Sequence, residues 1–146
     1  MSDIVEFLRA RLDEDEQIAK RAAGSGGIDG RWAYDGDSAH GEVYRPDASR
    51  TYTRIDGSTG VEHSYVTQDS EGIMSSVEGD DGTHIARHDP ARVLREVEAK
   101  RRIITLAEQV ARSGAEFAEQ DFDTLTRSLA VVYSDHPDYQ QEWAIG

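Results

Sequence analysis

The sequence predicts an α+β fold: an N-terminal helix, a small central antiparallel β-meander of three to five short strands, and a long basic helix and C-terminal helix packed on one face. Three observations carry this expectation. Apolar residues recur at helical spacing near both ends, turn pairs punctuate a strand-forming middle, and Asp89-Pro90 opens the longest helical pattern. A length of 146 residues suits a single domain, 1–146, with one core.

The first helix is expected over 1–23, with Asp3 as its cap and Glu6 as the capping-box partner. Ile4, Phe7, Leu8, Leu12, Ile18, Ala19 and Ala22 form its apolar stripe, and Gly24-Ser25-Gly26-Gly27 ends it. The run Asp13-Glu14-Asp15-Glu16 cannot all face one way, so part of it borders the seam that continues from Leu8 and Leu12.

Residues 30–80 read as a strand-rich polar middle. Arg31–Tyr34, Glu42–Arg45 and Thr51–Ile55 are each followed by turn residues: Asp35-Gly36-Asp37, Pro46-Asp47 and Asp56-Gly57. Val61–Thr67 and Gly72–Val77 extend the possible strands, and Gly79-Asp80-Asp81-Gly82 is expected to break the pattern. Weak, polar alternation implies one sheet face on helices and one in water.

A long helix follows over 89–112, with Asp89 as its cap and proline at the first helical position, where a missing N–H costs nothing. Val93, Leu94, Val97, Ile104, Ala107, Val110 and Ala111 supply its apolar stripe, and Ser113-Gly114 stops it. The last helix is expected over 121–135, with Leu125, Leu129, Val132 and Tyr133 in phase. In the tail, 136–146, Tyr139 and Trp143 are placed to pin the chain end to the body.

Composition narrows the function classes. No cysteine is present, which removes thiolate catalysis and cysteine-ligated metals and fits a reducing compartment. No apolar run approaches the roughly 20 residues of a membrane span, and no signal-peptide pattern opens the chain, so a cytoplasmic protein without membrane contact is expected. A net charge of −13 disfavours direct nucleic-acid binding. Residues 90–112 run the other way, at +3. Pairing of this basic helix with acids at 13–16 or in the C-terminal region accounts for it; an exposed partner-binding face through Arg95 and Arg102, including helix pairing in a homodimer, is the alternative.

Phosphate loops, dinucleotide fingerprints, nucleophile elbows, calcium loops and His-Glu-x-x-His are all missing from the sequence. His84-Ile85-Ala86-Arg87-His88 remains, a spacing that places two imidazoles on one face of a helical turn. A zinc site normally needs three protein ligands, so His136 is the candidate third, with Glu14, Glu16 or Asp135 completing a site for one divalent metal such as zinc or manganese. Such a centre would activate water for hydrolysis. The plainer reading has these histidines docking turns and capping helices, with no cofactor. Tyr34, Tyr44, Tyr52 and Tyr65, with Trp32, form either a partner-binding aromatic surface or the bulk of a small sheet's core; His40 and His63 look incidental.

Three blocks carry a resemblance: Phe7-Leu8-Arg9-Ala10-Arg11-Leu12-Asp13-Glu14-Asp15-Glu16; the stretch from His84-Ile85-Ala86-Arg87-His88-Asp89-Pro90 to Arg101-Arg102-Ile103; and His136-Pro137-Asp138-Tyr139 with Glu142-Trp143. On these the chain resembles a family of small acidic proteins of unknown function found in actinobacteria and their phages. The resemblance implies a shared scaffold and a phage or mobile-element setting, and no established activity. The leading expectation is a non-enzymatic interaction or regulatory protein that binds a protein partner. The alternatives are the metal-dependent hydrolase and an acidic DNA mimic that inhibits a nucleic-acid-binding protein.

Overall fold

A computed structural model describes residues 3–24, 29–37, 41–67 and 77–145. The elements run α1 (Asp3–Gly24), β1 (Ala33–Asp35), β2 (Glu42–Thr53), β3 (Thr59–Tyr65), α2 (Gly79–Arg87), α3 (Pro90–Arg112) and α4 (Ala118–Ala130). Short 3-10 turns follow at Val131–Tyr133 and Gln141–Trp143. The predicted α+β architecture is present, with a three-stranded antiparallel meander in the order β1-β2-β3. The chain falls into two compact units, Met1–Glu16 with Arg95–Gly146, and Gln17–Leu94.

The first unit is helical. Its core is built from Val5, Phe7, Leu8 and Leu12 of α1, Val97, Ile104 and Ala107 of α3, and Ala118, Thr126 and Ala130 of α4. Thr126 is the polar member, and its hydroxyl donates to the Phe122 carbonyl at 2.9 Å, so it enters the core with its hydrogen bond made. Tyr139 and Trp143 fold back onto Phe7, with ring centroids 6.2 and 5.1 Å away, and both are buried. The tail is thus anchored by aromatic burial rather than by regular structure.

The second unit carries the sheet. Asp56-Gly57 makes the β2–β3 turn as expected: Gly57 has φ +83°, and the Asp56 carboxylate accepts from Ser58 N–H and Oγ at 2.9 and 2.7 Å. Those bonds hold the Asp56 carboxyl below its ordinary pKa. Asp89 caps α3, accepting from Arg92 N–H at 2.7 Å and from Trp32 N–H at 3.3 Å, with Pro90 at the first helical position.

Three expectations are corrected. Pro46-Asp47 does not end a strand; β2 runs from Glu42 to Thr53, and the register with β3 is interrupted between Arg45 and Arg50, which accommodates the proline. Gly79–Gly82 opens α2 instead of breaking the chain. The reason is packing: a Cβ on Gly82 would lie 2.2 Å from Tyr34 ring carbons, so glycine here admits the tyrosine ring. Finally, α4 begins at Ala118 rather than near Asp121, and its continuation tightens to 3-10 geometry at Val131. The candidate strand residues 72–76, the glycine run at 25–27 and His40 lie outside the described residues.

Candidate functional site

His84 of α2 and His88, which caps the end of that helix, lie side by side and exposed, with ring centroids 4.2 Å apart. The His88 Nδ1–H donates to the His84 carbonyl at 2.9 Å, at the C-terminal end of α2. His136 belongs to the other unit. Arg11 Nη1 lies 2.8 Å from His136 Nδ1 and 2.6 Å from Nε2, and Nδ1 accepts from the Asp138 N–H at 3.1 Å. A fixed guanidinium against both ring nitrogens repels a metal cation. Glu14, the candidate carboxylate, also faces Arg11, at 3.3 Å. Among the described residues no group of three or more histidine, aspartate or glutamate side chains is gathered to hold a metal ion.

Asp13, Asp15 and Glu16 of α1 are engaged inside their own unit. Arg101 Nη2 donates to Asp13 at 2.5 Å and to Glu16 at 2.8 Å, and the neighbouring carboxylates raise its pKa. Tyr133 Oη donates to Asp15 at 2.7 Å; burial, then Asp15, pushes the phenol well above its ordinary value. Arg9 pairs with Glu108 at 2.8 Å. The Arg101 pairs set a base of α3 against acids of α1, whereas in Arg9–Glu108 α3 supplies the acid. Arg102 pairs one turn back with Glu98, both exposed, while Arg95 is exposed with no ion pair among the described residues.

The tyrosines do not form one surface. Tyr34 turns toward α2, its hydroxyl donating to the Val77 carbonyl at 3.0 Å. Tyr44 and Tyr65 are cross-strand neighbours, half-buried with His63 against Tyr44 at 4.4 Å between centroids; burial and Glu42 raise the Tyr65 pKa. Tyr52 is more exposed, with Arg54 5.8 Å from its ring centre. His63 Nδ1 meets Ser49 Oγ at 3.0 Å beside the register interruption. That hydroxyl donates to the Arg45 carbonyl at 3.1 Å, so the serine proton is committed to the backbone and the imidazole does not stand as its base.

The surface with the clearest binding character is one the sequence reading did not isolate. Between α3 and α4 runs a groove of about 510 Å³, walled by Ile103, Leu106 and Val110 on one side and Phe122 and Leu125 on the other. Exposure is 60% at Leu106, 40% at Ile103, 41% at Val110 and 38% at Leu125. At the turn end stands Phe117, 64% exposed with φ +66°, a left-handed conformation that costs a residue with a Cβ about 1–2 kcal/mol. The same turn uses glycine at Gly114, where φ is +69°. The available signal was the i, i+3, i+7 spacing of Ile103, Leu106 and Val110, a second apolar line beside the core stripe of Val97 and Ile104.

Comparison with known families matches the chain to a model described as a family of unknown function (DUF6221) over residues 1–145. The chain belongs to the DUF6221 family. No curated protein and no solved structure matches it. Membership in DUF6221 agrees with the expected family of unknown function and assigns no chemistry to the groove, the histidines or the sheet. Among the described residues no helix is long and apolar enough to cross a membrane.

Proposed function

We propose that this DUF6221 protein is a non-enzymatic interaction protein that binds a protein partner by taking an apolar helical face into the α3–α4 groove. The supporting observation is the contiguous exposure of Ile103, Leu106, Val110 and Leu125 along one groove. Large apolar side chains gathered in a groove, rather than scattered singly, mark a surface that is covered in use. A net charge of −13 keeps such a protein soluble with its groove open and repels nucleic acid. The DNA-mimic alternative has less support, because Asp13, Asp15, Glu16 and Glu108 are spent on Arg101, Tyr133 and Arg9. A cytoplasmic setting in actinobacteria or their phages belongs to the same proposal and rests on the resemblance and the lack of cysteine.

A photo-reactive side chain placed at Leu106, in the producing cell, tests the reading. The control position is Ile55, fully exposed at the β2–β3 turn. Protein adducts should form from position 106 and not from 55. Equal yields, or none from 106, would remove the groove as the binding face.

A further inference from the structure

Independently of the α3–α4 groove, we infer that the bulge of β2 forms a binding site for a small α-amino acid, taken as its zwitterion. The ladder register makes the site. Between the pairs Arg45–Ser64 and Arg50–Glu62, residues 46–49 of β2 stand against His63 alone, and β2 bends to take up the excess. A cavity of about 270 Å³ opens there, lined by Ala48, Arg50, Glu62, His63 and Ser64. It is smaller than the roughly 300–1,000 Å³ of sites for drug-sized ligands, so it suits a molecule of a few heavy atoms.

The polar groups of the lining divide into two donors and two acceptors. Arg50 and Glu62 are cross-strand partners of opposite charge, a pairing that ordinarily closes into a contact. Neither makes an ion pair among the described residues, and both line the cavity, so each head group is open to a ligand. His63 supplies the second acceptor. Ser49 Oγ gives its proton to the Arg45 carbonyl, so at 3.0 Å it accepts from His63 Nδ1–H, and in that tautomer Nε2 keeps its lone pair. Ring contacts with Tyr44 and Tyr65, at 4.4 and 6.0 Å between centroids, hold the imidazole before any ligand arrives. Ser64 supplies the second donor: its Oγ is reached by Arg45 Nη1 at 3.5 Å, and its own proton has no acceptor among the described residues. A carboxylate fits Arg50 and Ser64, and an ammonium group fits Glu62 and His63 Nε2. A bare anion would meet Glu62 and a bare cation would meet Arg50. A ligand with carboxylate and ammonium on one carbon satisfies all four groups.

Amide chemical shifts of the full chain, titrated with glycine and with L-alanine at constant ionic strength, test the assignment. Saturable changes should be confined to residues 48–50 and 62–64, with a Kd on the order of 1 mM, because Arg50 and Glu62 are exposed and solvent weakens each contact. Acetate and methylammonium each carry half of the ligand and should bind about tenfold more weakly. Arg50→Gln and Glu62→Gln should each lower glycine affinity about tenfold, while Arg54→Gln, outside the lining, should leave it unchanged. No saturable change with either amino acid overturns the site. Acetate or methylammonium binding as tightly as glycine, or variants at 50 and 62 that bind as the wild type does, would equally overturn the recognition of a zwitterion.

Discussion

Replacing Gly82 by alanine separates two opposing effects that the structure places at one position. In an ordinary helix interior the change stabilises by about 0.5–1 kcal/mol, because glycine loses more backbone freedom on folding. Here the new Cβ would lie 2.2 Å from two Tyr34 ring carbons and 2.9 Å from a third. The ring is tethered by its hydroxyl bond to Val77, so it cannot swing aside without losing that bond. Overpacking of this kind costs about 1–3 kcal/mol, which outweighs the propensity gain. The expected net is a loss of about 1–2 kcal/mol, a fall of roughly 3–6 °C in Tm for a chain of this size. Gly24→Ala, at a site with nothing within 4 Å, is the control and should gain a few tenths of a kcal/mol. Urea denaturation of both variants, repeated in a Tyr34→Ala background, measures the coupling. In that background Gly82→Ala should become neutral or stabilising. If Gly82→Ala stabilises the wild type as the control does, the packing account of α2 is wrong.

Two further outcomes follow from the helical unit. Tyr133→Phe removes the bond to Asp15 and should cost about 1–2 kcal/mol at neutral pH, the scale of a hydrogen bond to a half-buried charged acceptor. Because burial raises the Tyr133 pKa above the unfolded value of 10.0, this group's contribution is complete below pH 10 and is lost as pH rises beyond it. The stability gap between wild type and Tyr133→Phe should therefore narrow in alkali, as read by chemical denaturation across that range. Arg101→Met should cost about 1 kcal/mol, since its two carboxylate partners are partly exposed and solvent weakens each pair. That loss should shrink in about 1 M salt, where screening acts within about 3 Å; a salt-independent loss would mean packing of the arginine stem dominates.

The legible parts of the fold are those written locally. Asp89-Pro90 announces its helix because the cap and the proline act within one turn, and Asp56-Gly57 makes its turn through its own side chain and a positive φ. Gly79–Gly82 misleads because the reason for Gly82 is Tyr34, far away in sequence. Pro46 misleads because a strand can carry proline where its pairing register is interrupted. The histidine spacing foretells the close approach of His84 and His88, but no spacing reveals that the Arg11 guanidinium lies against the His136 ring. The groove is hidden for a different reason: Ile103, Leu106 and Val110 carry the periodicity of a buried face, and only the position of α4 decides that they stay open.

The openness of that face, on which the binding reading rests, is tested most directly by the solvent exposure of the Leu106 methyl groups. In the purified protein, a soluble paramagnetic probe should broaden the Leu106 methyl signals strongly and those of the buried Leu12 hardly at all. Leu106 methyls protected as fully as those of Leu12 would contradict the account.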